Sequence, residues 1–299
     1  MGTPEFAVAS LKALVEEGFN IAGVVTAPDK PAGRGMKLTQ SAVKVYAESK
    51  GLKILQPEKL KNPEFIGELK ALNADLQVVV AFRMLPEIVW NMPPLGTINL
   101  HGSLLPKYRG AAPINWAVIN GEKETGVTTF KLQHAIDTGN ILLQEKFPIS
   151  ETDTAGDVHD TMKEIGAKVL VKTVEALLNG SIKDQPQPEL ADIPHAPKIF
   201  TETCKIDWTR SAEEIYNLIR GLSPFPGAFT TLDNKTLKVL KATRTIAPHS
   251  EASGSYKTDG KTSLQFAAAD GYVQILELQM EGKKKMNTED FLRGYRFSH

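Results

Sequence analysis

Two polar side chains interrupt an apolar strand near the middle of the chain. The segment TINLH (97–101) is predicted to be a strand, and Asn99 and His101 stand two residues apart within it. Because alternate side chains of a strand share a face, we expect both on one face, at the strand's carboxyl end. An amide beside an imidazole suits the stabilisation of an oxyanion on a carbonyl under attack. Asp137, in HAIDTGN (134–140), is the candidate carboxylate that keeps His101 protonated or takes a proton through water.

The same residues allow a purely structural interpretation. A histidine in an apolar strand is commonly a hydrogen-bonded core residue. Asn99 suits a turn, and the run from Asp137 to Gly139 suits a hairpin connection. Spacing alone therefore leaves both a catalytic and a structural role open for these residues.

Alternating helix and strand patterns surround the polar residues. Continuous apolar strands are expected at 76–82 and 96–101, as in strands buried on both faces. The remaining elements expected in this half are a helix with Thr3 as N-cap and Pro4 at its first position, helices at 41–50, 63–72 and 156–179, strands at 20–26 and 53–55, and two strands around a loop within 126–147. The alternation predicts an α/β fold with a Rossmann-like, mostly parallel sheet and flanking helices. Such a fold normally opens on a strand, so a first strand is expected upstream of Met1.

The pattern changes after residue 202. A helix at 211–221 is followed by short strands that Gly- and Asn-containing turns separate, which predicts a small, OB-like β-barrel. The preceding stretch, 183–201, contains four prolines and is predicted to be a linker with polyproline II character. We therefore predict a catalytic domain at 1–182, this linker, and a second domain at 202–299.

Composition limits the classes of function. Lys plus Arg and Asp plus Glu both number 35, so a nucleic acid partner must bind local basic patches rather than a basic whole surface. The one cysteine, Cys204, excludes an internal disulfide framework and a cysteine-cluster metal site. His134, His159 and Asp160 lack the spacing of metal ligands, so no metal is expected. The sequence shows no transmembrane run and no signal-peptide pattern, and a cytoplasmic location is expected.

A longer set of residues carries a resemblance to a known family. The segments INLHGSLLPKYRGAAPINWAVING (98–121), ETGVT (124–128) and DTGNIL (137–142) closely resemble the folate-dependent formyltransferases. The resemblance covers nearly the whole chain. It implies that 10-formyltetrahydrofolate is the formyl donor, as a co-substrate, and that no metal takes part.

The resemblance also implies roles for individual residues. Asn99, His101 and Asp137 match the family's catalytic trio and would face the formyl carbonyl. The folate would lie beside a set of mostly apolar residues: Ser103, Leu104, Leu105, Pro106, Met84 and Leu85. The chain reads AFRMLP at 81–86, where many members have an Ala-Tyr-Gly type of sequence that is one residue longer. The wall of the pterin pocket is therefore expected to differ here.

Three features resemble the family members that formylate methionyl-tRNA. They are MGTPEFA (1–7), the basic loop TAPDKPAGRGMKLTQSAVK (26–44), and a C-terminal domain with KIDW (205–208), SPFPGAFT (223–230) and GKKKM (282–286). The resemblance implies initiator methionyl-tRNA as acceptor, with contacts from Lys30, Arg34, Lys37, Lys283 and Lys284. A basic face for phosphates is a further hypothesis for Lys235, Lys238, Lys241 and Arg244. Each of these cations also fits an ordinary solvated surface.

Other functions stay open on the sequence. The acceptor could be an amino sugar nucleotide, which would need neither the basic loop nor the C-terminal domain. The chain could be a tRNA-binding protein with an impaired catalytic domain, or a hydrolase that releases formate from the folate. A monomer that does not bind membranes is the expected state in each case.

Overall fold

The computed structural model describes residues 1–32, 37–189 and 191–297. Contacts divide the chain into two units. Unit 1 consists of Met1–Arg109, Gly126–Phe147 and His159–Pro194, and unit 2 of Gly110–Thr125, Pro148–Val158 and His195–His299. The domain division expected at 182 and 201 stays a prediction.

The elements follow one another along the chain as expected in most places. The helices are α1 (Glu5–Glu16), α2 (Ala42–Ser49), α3 (Pro63–Ala71), α4 (Glu87–Trp90), α5 (Pro113–Ile119), α6 (Ala155–Leu178), α7 (Ala212–Gly221) and α8 (Thr288–Gly294), with a short 3₁₀ helix at Glu202–Cys204. The strands are β1 (Val24–Val25), β2 (Lys30–Ala32), β3 (Lys37–Thr39), β4 (Ile54–Leu55), β5 (Gln77–Val80), β6 (Thr97–His101), β7 (Arg109–Gly110), β8 (Glu124–Lys131), β9 (Ile141–Pro148), β10 (His195–Ala196), β11 (Ala228–Leu232), β12 (Lys235–Ile246), β13 (Tyr256–Thr258), β14 (Leu264–Ala267), β15 (Gly271–Met280) and β16 (Met286–Asn287).

Unit 1 contains the sheet that carries the polar strand. Its order is β5-β6-β8-β9, with β5 and β6 parallel and β6 and β8 antiparallel. The strands β1 and β4 form a separate parallel pair. The α/β prediction is confirmed, and the antiparallel part of the sheet begins at β8, one of the two strands expected within 126–147. The central strand β6 is hydrogen-bonded to a strand on each side, which fixes the face of the sheet on which each of its side chains lies.

The first two residues lie between β1 and β5. The amide of Gly2 donates to the Val25 carbonyl at 3.0 Å, and the amide of Val80 donates to the Met1 carbonyl at 2.9 Å. A largely apolar cavity of about 300 Å³ adjoins Met1 and Gly2. The strand expected upstream of Met1 stays a prediction.

Local signals explain where the helices of unit 1 begin. The Ser41 hydroxyl accepts from the Lys44 amide at 3.0 Å and caps α2, as such residues do at helix starts. The expected N-cap at Thr3 is wrong by one residue. Pro4 is the N-cap, because its backbone is extended (ψ 174°) and its carbonyl accepts the first helical bond, from Ala7.

Unit 2 contains an antiparallel sheet and the expected helix α7. The sheet order is β11-β12-β15-β14-β13, and β16 pairs with β15. Helix α7 begins at Ser211, which forms a capping box with Glu214. The rings of Trp208 and Phe266 stack at 4.7 Å inside the core. The predicted C-terminal β domain is therefore confirmed as an antiparallel sheet packed around one hydrophobic core.

Candidate active site

The polar strand places its two side chains as the spacing predicts. In β6, Asn99 stands opposite Phe130 of β8, and His101 stands opposite Thr128. Asn99 is half-buried and His101 is buried. His101 is the last residue of β6, Asn99 is its middle residue, and the two share one face of the sheet.

The two ring nitrogens of His101 have different partners. Nε2 lies 2.9 Å from the backbone carbonyl oxygen of Tyr108. A carbonyl oxygen can only accept, so Nε2 carries a proton and donates. Nδ1 lies 3.8 Å from Oδ2 of Asp137. That separation is longer than a hydrogen bond and suits an ion pair whenever Nδ1 is also protonated.

The imidazole and the carboxylate are both shielded from water. Their side chains are 8% and 11% exposed. The buried ring of Phe130 meets the His101 ring edge-on, with centroids 6.5 Å apart and planes at 81°. In a poorly hydrated site of this kind, charge attraction is stronger than at a surface. Nδ1 of His101 and the Asp137 carboxylate therefore face each other in a poorly hydrated site.

Both groups that face the ring nitrogens of His101 belong to residues with left-handed backbone. Tyr108 has φ +59° and Asp137 has φ +54°. Such conformations cost about 1–3 kcal/mol each in non-glycine residues and persist only where neighbours impose them. Two residues further on, a Cβ at Gly139 would lie 1.6 Å from the Lys131 carbonyl oxygen. The loop can therefore pass this close to β8 only with glycine there.

The segment after β6, Ser103–Pro106, is held by one threonine of β8. The Thr128 hydroxyl donates to the Ser103 carbonyl at 2.6 Å and accepts from the Leu105 amide at 3.1 Å. Gln144 donates to the same hydroxyl at 2.8 Å and to the Leu105 carbonyl at 2.9 Å. The course of this segment is thus set by side chains of β8 and β9.

The residues expected to contact the folate differ in the solvent exposure of their side chains. Ser103, Leu105 and Pro106 are buried, and Leu104 is half-buried. The Ser103 hydroxyl donates to the Lys107 carbonyl at 2.7 Å, so it serves the segment's own backbone. Their part in folate binding stays a prediction.

The departure at 81–86 has a local explanation. Arg83 donates to the carbonyls of Pro57 and Glu58, so its guanidinium supports a neighbouring loop. Leu85 is buried in the core of unit 1, whereas Met84 is 73% exposed. Of the two expected folate contacts here, only Met84 has a side chain that a ligand can reach without rearrangement.

A stretch of the predicted linker lies against the loop of Asp137. We call residues 184–187 the docked segment. Gln185 and Ile141 exchange backbone hydrogen bonds of 2.7 and 2.8 Å, and the Asn140 amide donates to Asp184 at 2.9 Å, which lowers the pKa of that carboxyl. Gln187 donates to the carbonyls of Asp137 and Gly139. Sequence reasoning missed Gln187, and the only signal was its place within a proline-rich run.

The predicted tRNA contacts lie in both units. Lys30 and Lys37 stand on the antiparallel strands β2 and β3, so the basic loop has a hairpin at its base. Arg34 lies outside the described residues. In unit 2, Lys283 and Lys284 are exposed, whereas Lys285 pairs with Glu277 at 2.6 Å.

The basic row expected along β12 is partly engaged within unit 2. Lys238 donates to the Pro226 carbonyl at 2.8 Å. Arg244 pairs with Glu213, and its guanidinium lies 4.4 Å from the centre of the Tyr216 ring. These two cations have structural partners, which weakens the hypothesis of a phosphate-binding face on this strand.

Two further features bear on the class of protein. Among the residues that the structure describes, no group of three or more His, Cys, Asp or Glu side chains is arranged to hold a metal ion. Within the same residues, no helix is long and apolar enough to cross a membrane.

Comparison with known proteins identifies the family. The family model described as formyl transferase matches residues 1–174, and the model of the formyl transferase C-terminal domain matches residues 198–296. The chain belongs to the formyl transferase family. The residues described above around His101 all fall within the first match, except those of the docked segment.

Full-length relatives and a solved structure agree with this assignment. A protein of Bacteroides fragilis named methionyl-tRNA formyltransferase is 53% identical, over 99% of this chain and 94% of its own. Another of that name from Phocaeicola vulgatus is 57% identical, over 100% and 95%. The structure of WlaRD, a sugar 3N-formyl transferase in the presence of dTDP and 5-N-formyl-THF, matches with a TM-score of 0.68. It covers 95% of this chain and 97% of WlaRD at 24% identity, which shows a shared fold.

Replacing Thr128 with valine tests how Ser103–Pro106 is held. Valine keeps the shape of threonine but leaves the Ser103 carbonyl and the Leu105 amide without their partner. We expect the free energy of unfolding in urea to fall by about 1–3 kcal/mol. Thr125, buried on the same strand without a side-chain hydrogen bond among the described residues, provides the matched Thr125→Val control. Equal losses in the two variants would contradict the role given to the Thr128 hydroxyl.

Proposed function

We propose that the chain transfers the formyl group of 10-formyltetrahydrofolate to the α-amino group of methionine on initiator tRNA. The family and the names of full-length relatives at 53% and 57% identity support the reaction and its acceptor. The geometry around His101 supports the chemistry. It is the single observation on which the proposed mechanism rests.

The site suits direct acyl transfer to an amine. The neutral amine attacks the formyl carbon, a C–N bond forms, and the carbonyl π electrons move onto oxygen. The Asn99 amide and Nδ1–H of His101 are the donors proposed for that oxyanion. Nε2 is occupied by the Tyr108 carbonyl, so Nδ1 is the nitrogen that is left for the reacting group.

Asp137 has two proposed tasks. Its negative charge, 3.8 Å from Nδ1, favours the protonated imidazole that donates to the oxyanion. It also accepts the proton that the attacking amine loses, through a water molecule. When the intermediate collapses, the bond between the formyl carbon and N10 breaks and N10 takes a proton. The products are the formamide and tetrahydrofolate, with no net gain or loss of protons.

The acceptor would be recognised mainly through phosphate charge. Lys30, Arg34 and Lys37 on the basic loop and Lys283 and Lys284 in unit 2 are the cations proposed for this role. Such contacts release counterions from the nucleic acid, so binding should weaken steeply with salt. An amino sugar nucleotide offers too little phosphate to use so many cations.

The assay that tests the function offers 10-formyltetrahydrofolate with three acceptors in parallel. They are charged initiator methionyl-tRNA, the same tRNA without methionine, and an amino sugar nucleotide. We expect formylation of the charged tRNA alone. Transfer to the sugar would reassign the acceptor, formate release without transfer would indicate a hydrolase, and tRNA binding without turnover would indicate an impaired catalytic domain.

Substitutions at the trio test the proposed roles. His101→Ala and Asn99→Ala each remove an oxyanion donor, so we expect kcat to fall roughly a hundredfold or more. Asp137→Asn keeps the shape and removes the charge, and a loss of similar order is expected. His195→Ala, at an exposed histidine of unit 2, is the control and should retain full turnover. Near-normal kcat in both the His101 and Asn99 variants would remove the basis of the mechanism.

The lysine run at 283–285 permits a matched test of tRNA binding. Lys283→Ala and Lys284→Ala should each raise KM for charged tRNA and flatten its salt dependence, because each variant releases about one counterion fewer on binding. Lys285→Ala is the control, because the Lys285 ammonium already has an acidic partner, Glu277, at 2.6 Å. Arg34→Ala should likewise weaken tRNA use while folate affinity stays unchanged. Equal effects at all three lysines, or a fall in folate affinity on changing Arg34, would argue against these roles.

A further inference from the structure

The loop that carries Asp137 is held by a residue distant in sequence. The side-chain amide nitrogen of Gln187 donates to the Asp137 carbonyl at 2.7 Å and to the Gly139 carbonyl at 2.9 Å. These two bonds fix the peptide planes that join Asp137 to Thr138 and Gly139 to Asn140. They therefore act on the backbone that aims the Asp137 carboxylate at His101.

A second interaction fixes the orientation of the Gln187 amide. Its oxygen accepts from Arg109 at two atoms, Nη2 at 2.6 Å and Nε at 3.1 Å. The reversed orientation would place the amide oxygen against two carbonyls and the NH₂ group against a guanidinium. Each of the four hydrogen bonds would then be replaced by a repulsive pair, so the amide has one acceptable orientation.

Gln187 and Arg109 together form a bridge between the two chain segments that face the ring nitrogens of His101. Arg109 directly follows Tyr108, whose carbonyl accepts from Nε2, and Asp137 faces Nδ1. Gln187 thus connects the partner of one ring nitrogen to the partner of the other. The Tyr108 amide is itself held by the Pro194 carbonyl at 2.6 Å. Chain after residue 183 therefore restrains both partners of the imidazole.

We infer that Gln187, supported by Arg109, is a positioning residue that sets the placement of the Asp137 carboxylate relative to His101 during formyl transfer. The inference rests on the proposed function for its reaction, but on the geometry of unit 1 for its residues. Gln187 acts here through hydrogen bonds to backbone carbonyls, and no contact with substrate is assigned to it. Its removal should therefore reduce turnover and leave substrate binding nearly unchanged.

Gln187→Glu is the most informative change. Glutamate keeps the length of the side chain and its bond to Arg109, but replaces the NH₂ donor with a second acceptor facing two carbonyls. We expect kcat to fall roughly tenfold to a hundredfold, as misplacement of a catalytic group by about 1 Å does. KM for folate and for the acceptor should change less than about twofold. A kcat within about twofold of the unaltered chain would overturn the inference.

Gln185→Glu is the matched control. It makes the same chemical change two residues away, in the same docked segment. The Gln185 side chain is exposed, and the residue pairs with Ile141 through its backbone. We expect unaltered kcat. If the two glutamate variants lose turnover equally, charge in this segment rather than the Gln187 bridge is responsible, and the inference is wrong.

A double-variant cycle separates positioning from a general loss of stability. If Gln187 acts through Asp137, adding Gln187→Glu to Asp137→Asn should cost little further kcat. Losses that multiply would contradict the inference. Should Gln187→Glu fail to fold, Arg109→Lys keeps the charge, removes the two-pronged hydrogen bonding, and should show the same fall in kcat at unchanged KM.

A structural readout keeps this test independent of the reaction. Hydrogen exchange of the backbone amides at 137–141 should be faster in Gln187→Glu than in Gln185→Glu or the unaltered chain. If the unaltered chain formylates none of the three acceptors, the proposed function fails while the exchange result still decides whether Gln187 holds the loop. Equal exchange in all three proteins would overturn the inference whatever the activity.

Discussion

The chemistry of this site depends on the hydrogen bond that one ring nitrogen of His101 makes to a backbone carbonyl. Because Nε2 of His101 donates to a backbone carbonyl, only Nδ1 remains for a reacting group and for Asp137. At 3.8 Å and an effective dielectric constant near 20, a protonated imidazole and a carboxylate attract by about 4 kcal/mol. That attraction depends on the distance between the two groups.

The surrounding structure therefore holds the distance between the His101 imidazole and the Asp137 carboxylate constant. The imidazole is carried by β6, which has a strand on each side, and is flanked by the buried Phe130 ring. The carboxylate stands on a loop, in a left-handed backbone conformation that the surrounding structure must hold. Close approach at Gly139 and hydrogen bonds from residues further along the chain supply the missing restraint.

The contrast between an imidazole carried by a strand and a carboxylate carried by a loop explains what could be predicted from the sequence. Asn99 and His101 lie two residues apart on a continuous apolar strand, and strand periodicity alone places them together. The residue types also made Asp137 a candidate, but its loop fits a simple turn as well, and the family resemblance added it to the trio. The proton on Nε2 could not be predicted, since any residue at 108 supplies a carbonyl. Gln187 contacts a loop 50 positions earlier in the chain, from a proline-rich run that composition assigns to a linker. Long-range pairing to backbone leaves no periodic signal.

The residues proposed to activate the formyl group differ from those proposed to meet the acceptor. The residues that contact His101, and those that hold its partners, belong to unit 1. Of the lysines proposed to meet the acceptor, Lys283 and Lys284 belong to unit 2, whereas Lys30 and Lys37 belong to unit 1. An acceptor can then change through surface charge without disturbing the ion pair, because phosphate contacts act over a long range and tolerate variation in side-chain geometry. The trio proposed here would have no such tolerance, since its electrostatic effect would depend on one distance inside a poorly hydrated site. A shared fold that serves both sugar and tRNA acceptors follows naturally from that asymmetry.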